Sequence, residues 1–397
     1  MIRELGKGKA RLIVSVGSGA NRRRYTKTVE YQKKKELRQL YSDFEVECQK
    51  RPQTDISVEQ LLGLYIDHMR VLGRKQTTIH GYEIVAERLQ SLTDGILARN
   101  LTTARLEKII VEMSQNGLGA KTIKNTIGLL SAAYRYAIKI DLLEENPCEK
   151  VTRPKGQPRE IRILYINEIP AFLNAIADVD LNEKVAYELA LFLGLRRSEI
   201  LGLKESDIDV VRGLVNIHNT RHRIDGEDYD SDTKTKRSTR VLAVPDFLLL
   251  DIVKLLQIHK DFPYEKCDYL VQDGFGEPLG GQALASRLSR LEANKGLPHV
   301  TLHGLRHTYA SLLHARGVDM ANISAELGHS NLSTTQNVYT HIFSDATNAS
   351  RGIASVIDEF AKILSQNDAQ NDTEAQDVVA VVSETATSLP QLENKKR

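Results

Sequence analysis

The sequence predicts a multidomain chain, mainly helical with small β elements: an N-terminal β-sheet backed by one helix, a helical bundle, and a mixed α/β third unit. Three observations predict it. Runs of β-forming residues are short and lie near 11–31, 214–218 and 240–245. Apolar residues recur at helical spacing from about 58 to 138. Two polar, proline-bearing stretches, at 51–55 and 151–159, break the chain into three parts. With 397 residues there is enough chain for two or three domains, each with its own core.

The elements follow in order. Arg11-Leu12-Ile13-Val14-Ser15-Val16 is a strand, Gly17 to Asn21 is turn chemistry, and Arg22 to Tyr31 is a returning strand. A helix over about Lys33–Gln49 carries Leu37, Leu40, Tyr41 and Phe44 at i, i+3, i+4, i+7. The second part holds four helices with short polar connections. Apolar residues mark them from Val58 to Met69, from Tyr82 to Leu92, from Leu106 to Met113 and from Ile123 to Ile138. Thr77 and Thr78 precede the second of these, and Lys121, Thr122, Lys124 and Asn125 open the last. Lys75, Thr77, Lys121 and Lys124 can meet phosphates at helix starts; capping is the plainer reading of the threonines. The expected boundaries are 1–52, 55–147, a basic linker over 148–160, a third unit over 161–365 and a tail over 366–397 without fixed structure.

Composition excludes several classes. The hydrophobic share of 41% is ordinary for a globular chain, and no run of about 18 apolar residues predicts a membrane span. The first residues lack the apolar core of a signal peptide. Cys48, Cys148 and Cys267 are too few and too scattered for a disulfide framework, and no pair has metal-ligand spacing. A reducing bacterial cytoplasm fits, with no metal expected. The net charge of +2 hides an asymmetry: residues 1–54 hold 14 Lys and Arg against 6 Asp and Glu, whereas the tail is acidic up to Lys395. A basic N-terminal unit suits a polyanion partner, although a solvated surface explains it equally well. A β-ribbon fits the DNA major groove, so the strand around Arg22, Arg23, Arg24 and Lys27 is the candidate reading element.

The third unit carries six polar residues in a fixed order. Arg196 stands in Gly194-Leu195-Arg196-Arg197-Ser198-Glu199, and Lys234 in Thr233-Lys234-Thr235-Lys236 just before an apolar strand. His303 and Arg306 stand in His303-Gly304-Leu305-Arg306, His329 in Leu327-Gly328-His329-Ser330, and Tyr339 ten positions later. This pattern resembles the tyrosine recombinase (lambda-type phage and conjugative-transposon integrase) family. In that family an Arg, a Lys, a His-x-x-Arg, a His or Trp and a Tyr follow in this order. The resemblance covers the third unit; residues 55–145 look like the family's core-binding domain and the first 50 like its arm-binding domain.

Such a resemblance implies a site-specific integrase that cleaves and rejoins DNA through a 3′-phosphotyrosine. Arg196 and Arg306 would fork onto the nonbridging oxygens of the scissile phosphate, where planar guanidinium donors match phosphate geometry. Tyr339 would be the nucleophile, and its hydroxyl, with an ordinary pKa of about 10, needs help to lose a proton. His303 is the candidate base, Lys234 the candidate acid for the leaving 5′-hydroxyl, and His329 a donor to the phosphate. No cofactor is expected. The implied partners are double-stranded DNA at core-type and arm-type sites, three further copies of the chain on that DNA, an excision factor and a host DNA-bending protein.

Each residue has a plainer rival. Arg197 and Lys236 neighbour the chosen Arg196 and Lys234 and read as surface or DNA-backbone contacts. Glu199 reads as holding its helix by capping or ion pairing. His303 and His307 have the i, i+4 spacing of a metal pair, but Gly304 replaces the needed acid and Arg306 would repel a cation. Tyr309 competes with Tyr339 but sits in a core-facing helix pattern. Ser330, Thr334 and Thr335 read as caps. Two other functions fit the same scaffold: a Xer-type chromosome-resolving recombinase without an arm domain, and a non-catalytic DNA-binding regulator.

Overall fold

The computed structural model describes residues 1–6, 8–16, 23–50, 55–156, 161–232, 239–261 and 267–328. The chain folds as two compact units that divide between Pro158 and Arg159.

The first unit begins with an antiparallel sheet in the order β1 (Ile2–Gly6), β2 (Lys9–Val16), β3 (Arg23–Glu30), followed by α1 (Lys34–Lys50). Period 2 sorts its faces. Ala10, Leu12, Val14 and Tyr25 are buried with Leu37, Phe44 and Cys48, so this face meets α1. The returning strand and the helix match the sequence expectation. The strand β1 does not figure in it, because Ile2-Arg3-Glu4-Leu5 has no apolar alternation. Pairing with β2 makes it a strand, and the terminal amine donates to the Ile13 carbonyl at 2.6 Å and to the Tyr41 hydroxyl at 2.7 Å.

Helices α2 (Val58–Val71), α3 (Gln76–Thr93), α4 (Thr103–Gln115) and α5 (Ala120–Lys139) form the bundle. Ser57 caps α2, accepting from the Gln60 amide at 3.1 Å while the Gln60 side chain accepts from the Ser57 amide at 2.9 Å. Thr102 caps α4. The core runs from Val58 through Leu89, Leu106 and Ile127 to Ala137; burying each large side chain contributes roughly 1.5–3 kcal/mol. The Tyr134 hydroxyl, buried there, donates to the Ala98 carbonyl at 2.7 Å. Two expectations need correction. Cys148 and Val151 are 1% and 8% exposed and belong to this core, so the stretch from 148 is packed, not yet linker. The caps of α3 and α5 are Lys75 and Gly119, without side-chain cap bonds. Thr77 and Thr122 therefore lie inside the first turns and do not cap.

The second unit is built around α7 (Leu181–Phe192), which is buried on nearly all sides and therefore lacks a polar face. Around it lie α6 (Ile169–Ile176), α8 (Arg197–Gly202), α9 (Asp246–Lys260), α10 (Gly281–Lys295), α11 (Leu302–Ala315) and α12 (Met320–Glu326). A small antiparallel sheet has the order β4 (Ile208–Asp209), β5 (Leu214–Ile217), β8 (Arg240–Ala243). Between β5 and β8 stands a hairpin, β6 (Asn219–Ile224) with β7 (Glu227–Asp232). Its two-residue turn, Asp225-Gly226, has φ of 52° and 88°, as a type I′ hairpin turn requires. The multidomain, mostly helical fold with small sheets is the one the sequence predicts. No helix among the described residues is long and apolar enough to cross a membrane.

Candidate active site

The site is assembled from three places in the second unit: the start of α8, the first turns of α11 and the end of α12. Arg196 is the N-cap of α8. Its amide donates to one Glu199 carboxylate oxygen at 2.9 Å and its Nη1 to the other at 2.6 Å. This is the capping and pairing role that the sequence suggests for Glu199. Arg306 is fully buried on α11 yet carries a charge, and its Nη1 donates to the Gly194 carbonyl at 2.6 Å.

Both guanidiniums also hold the end of α12. Arg306 Nη2 donates to the Leu327 carbonyl at 2.6 Å and Arg196 Nη2 to the next carbonyl, that of Gly328, at 3.0 Å. Two arginines far apart in sequence thus converge on consecutive peptide groups immediately before position 329.

A tight turn makes this approach possible. Gly194 has φ +61°, and a Cβ there would come within 2.5 Å of the Tyr309 ring and 2.8 Å of Leu327. Only glycine lets the turn before Arg196 lie against α11 and α12.

Glu199 is the electrostatic centre. It is 1% exposed. Arg240, the first residue of β8, reaches it with Nη2 at 3.0 Å and Nη1 at 3.3 Å, and Arg306 Nη1 stands 3.7 Å away. Burial alone would raise the carboxyl pKa. The cations of Arg240, Arg196 and Arg306 outweigh it and hold the group at about 2. Three guanidiniums around one carboxylate leave a surplus of positive charge, which suits an anionic ligand.

His303 sits one turn before Arg306 on the same helix, and Thr301 caps that helix by accepting from the Gly304 amide at 3.0 Å. His303 reaches solvent at the rim. Desolvation on its inner side, then the Arg306 and Arg196 charges, lower its pKa below the ordinary histidine value, so the ring is neutral at neutral pH. His307 is buried and meets the His303 ring edge-on at 4.4 Å between centroids. His307 is therefore a packed residue of α11. Among the described residues no cluster of His, Cys, Asp and Glu has metal-ligand geometry.

Tyr309 is partly buried on α11 and donates its hydroxyl to Glu326 at 2.7 Å. Burial and that carboxylate raise its pKa above the usual phenol value. Arg197 is exposed, with its side chain passing over Gly281. Lys234, Lys236, His329, Ser330, Thr334, Thr335 and Tyr339 lie outside the described residues, as does Arg22; of Arg23 the backbone alone is described.

The other expected DNA contacts divide by position. Thr77 and Lys124 line one groove between α3 and α5, together with Thr78, Tyr82 and Asn125. Lys121 is exposed in the first turn of α5 and Lys75 half-buried at the start of α3. In the N-terminal sheet, Arg24 pairs with Ser15 on the face away from α1. Lys27 falls on the α1 face, 3.2 Å from Glu47 and 5.5 Å from the Phe44 ring centre. Arg24 and Lys27, two of the four basic residues taken as one reading element, thus lie on opposite faces.

Sequence reasoning missed Arg240. The signal was present: period 2 places Arg240 on the same face as Leu242, which packs on the core, so a cation pointed inward.

Comparison with known proteins gives one family match and relatives along most of the chain. Residues 162–345 match the model of the phage integrase family. The tyrosine recombinase XerC-like protein of Caldanaerobacter subterraneus subsp. tengcongensis is 27% identical over 376 residues, covering 85% of this chain and 93% of that protein. The ICEBs1 integrase of Bacillus subtilis is 26% identical over 307 residues, covering 74% of this chain and 81% of that one. In fold, the chain is similar to the Tn1549 transposon integrase in complex with transposon right end DNA. There the TM-score is 0.64 at 24% identity, over 74% of this chain and 98% of that one.

Proposed function

Because the chain belongs to the phage integrase family of tyrosine recombinases, we propose that its arginine site grips a scissile DNA phosphate while the Tyr339 phenol attacks it. The chain is an enzyme that cleaves and rejoins DNA, a site-specific integrase of the kind mobile elements carry. The observation that supports the assigned site best is the convergence of Arg196 and Arg306 on Glu199 and on the Leu327 and Gly328 carbonyls. Position 329, the candidate phosphate donor, follows Gly328 directly in the chain.

In the proposed reaction the Tyr339 oxygen forms a bond to phosphorus and the bond from phosphorus to the 5′-oxygen breaks. His303 takes the phenol proton, which its depressed pKa allows because the ring is neutral and able to accept. Lys234 gives a proton to the leaving 5′-oxygen. Arg196 and Arg306 stabilise the charge that builds on the nonbridging oxygens, and preorganised donors of this kind are usually the largest single catalytic contribution. The products are a 3′-phosphotyrosine and a free 5′-hydroxyl. A partner strand's 5′-hydroxyl then reverses the attack, and the stored bond energy replaces any energy source.

Lys75, Thr77, Lys121 and Lys124 would hold core-site phosphates, helped by the amides at the uncapped starts of α3 and α5. Arg197 and Lys236 would track the backbone near the cut. Arg22, Arg23, Arg24 and Lys27 would serve arm-type sites, with Arg24 on the open face as the direct contact. The working assembly would be a tetramer on DNA, with an excision factor and a host DNA-bending protein, in the cytoplasm of a bacterial host.

A nicked duplex carrying the element's own end sequence tests the reaction. The chain should trap a covalent protein–DNA complex that Tyr339→Phe abolishes. A regulator on the same scaffold would bind without trapping, and that result would end the enzyme reading. The XerC-like relative spans 93% of its own length in the match, which gives the Xer-type alternative its footing. Deleting residues 1–54 separates the two: an integrase loses arm-site binding and keeps core cleavage, and a Xer-type enzyme changes little.

A further inference from the structure

We propose that Arg240 is a positioning residue for strand cleavage, occupying the Glu199 carboxylate so that it does not draw Arg306 away from the phosphate. The inference rests on the recombinase reading above. A carboxylate offers about four acceptor sites. At Glu199 the described donors within hydrogen-bond reach are the amide and Nη1 of Arg196 and the Nη1 and Nη2 of Arg240. Arg306 Nη1 stands just outside this set at 3.7 Å and donates instead to the Gly194 carbonyl at 2.6 Å.

The fork of Arg240 therefore settles which cation the carboxylate holds most. Its side chain is 8% exposed, so the pair lies in a low-dielectric interior where an unsatisfied anion is costly. Without that fork, two acceptor sites of a buried anion open beside Arg306. A movement of about 1 Å brings Arg306 Nη1 into hydrogen-bond range of Glu199. The same movement strains its hold on Gly194 and Leu327 and turns the guanidinium inward. A misplacement of about 1 Å at a reacting centre can cost on the order of a hundredfold in rate. Arg240 is also the cation that does most to hold the Glu199 carboxyl down.

The test uses the full chain, the nicked duplex above, and the variants Arg240→Gln and Arg240→Lys. Affinity for the duplex, the rate of covalent trapping at neutral pH, and thermal stability are measured together. Arg240→Gln should bind the duplex within about twofold of the unaltered chain and trap it roughly 10–100-fold more slowly. Arg240→Lys, which keeps the charge and loses the fork, should recover part of the rate. In a Glu199→Gln background, Arg240→Gln should cost little further, because the two act through one contact.

Trapping at the normal rate in both variants overturns the proposal. So does a rate loss that follows DNA affinity or melting temperature alone and is as large in the Glu199→Gln background. If Arg240→Gln fails to fold, Arg240→Lys decides: a normal rate rejects the role. An unaltered chain that traps nothing rejects the recombinase reading itself, which is a different outcome from the failure of Arg240 alone.

Discussion

Glu188 in the middle of α7 and Glu199 in the first turn of α8 are both acids of the second unit, 3% and 1% exposed. Burial pushes both carboxyls up. At Glu188 it wins: the pKa rises to about 8, with Asp251 adding to the rise and Lys184, 3.8 Å away, opposing it. Lys184 is itself committed to Asp251 at 2.5 Å. At Glu199 three guanidiniums win and the pKa falls to about 2. Depth of burial therefore does not decide the charge of a buried acid; the number and geometry of its cations do. The scaffold keeps its acid neutral, whereas the candidate active site keeps one ionised and surrounds it with surplus positive charge.

Glu199→Gln is the most severe way to break this contrast. Removing one partner of a buried ion cluster leaves the others uncompensated, and the expected loss is about 3–5 kcal/mol of unfolding free energy. A folded pKa below the unfolded one means that the Glu199 contribution is present above about pH 4.5 and is lost as pH falls toward 2. The variant should accordingly lose that acid dependence in denaturant titrations, and a loss under about 1 kcal/mol at pH 7 would refute the cluster.

Glu188→Gln is expected to act in the opposite direction and more weakly. Here the folded pKa lies above the unfolded one, so the folded state holds its proton more tightly between about pH 4.5 and 8. Stability from this group is complete below the unfolded pKa and declines as pH rises through the folded one. A neutral amide should be nearly silent at pH 5 and stabilise the chain by about 1–3 kcal/mol at pH 8.5, partly because one Glu188 oxygen is buried without a hydrogen-bond partner. Melting temperature against pH reads this directly. Parallel curves for the two chains would show that Glu188 does not titrate in this range.

The same contrast explains what the sequence made legible. Helical period put His303 and Arg306 on one face, and the structure has them on α11. Glycine and proline punctuation marked the breaks between parts. Local patterns of this kind are written in neighbouring residues. The strand β1 and the hairpin of β6 and β7 went unread because their residues are charged. The turn signal of Asp225-Gly226 went unused, and Arg221 and Tyr269 secure the hairpin through the Leu279 carbonyl and Asp230, contacts distant in sequence. The charge states of Glu188 and Glu199 were equally hidden, since the groups that set them include Asp251 on α9, Arg240 on β8 and Arg306 on α11.

Tyr309→Phe gives the smallest expected effect and bears on the choice of nucleophile. Its phenol lies close to the arginine site in the fold, against Gly194, and on position alone it rivals Tyr339. Its surroundings argue otherwise. The proton is already given to Glu326 at 2.7 Å, and burial with that carboxylate raises the pKa, so the phenolate is harder to form than in water. Removing the hydroxyl deletes one hydrogen bond, a loss of about 0.5–1.5 kcal/mol. Covalent trapping on the nicked duplex should persist in Tyr309→Phe and vanish in Tyr339→Phe. The reverse pattern would move the nucleophile to α11 and make the surplus charge around Glu199 serve a different attacking oxygen.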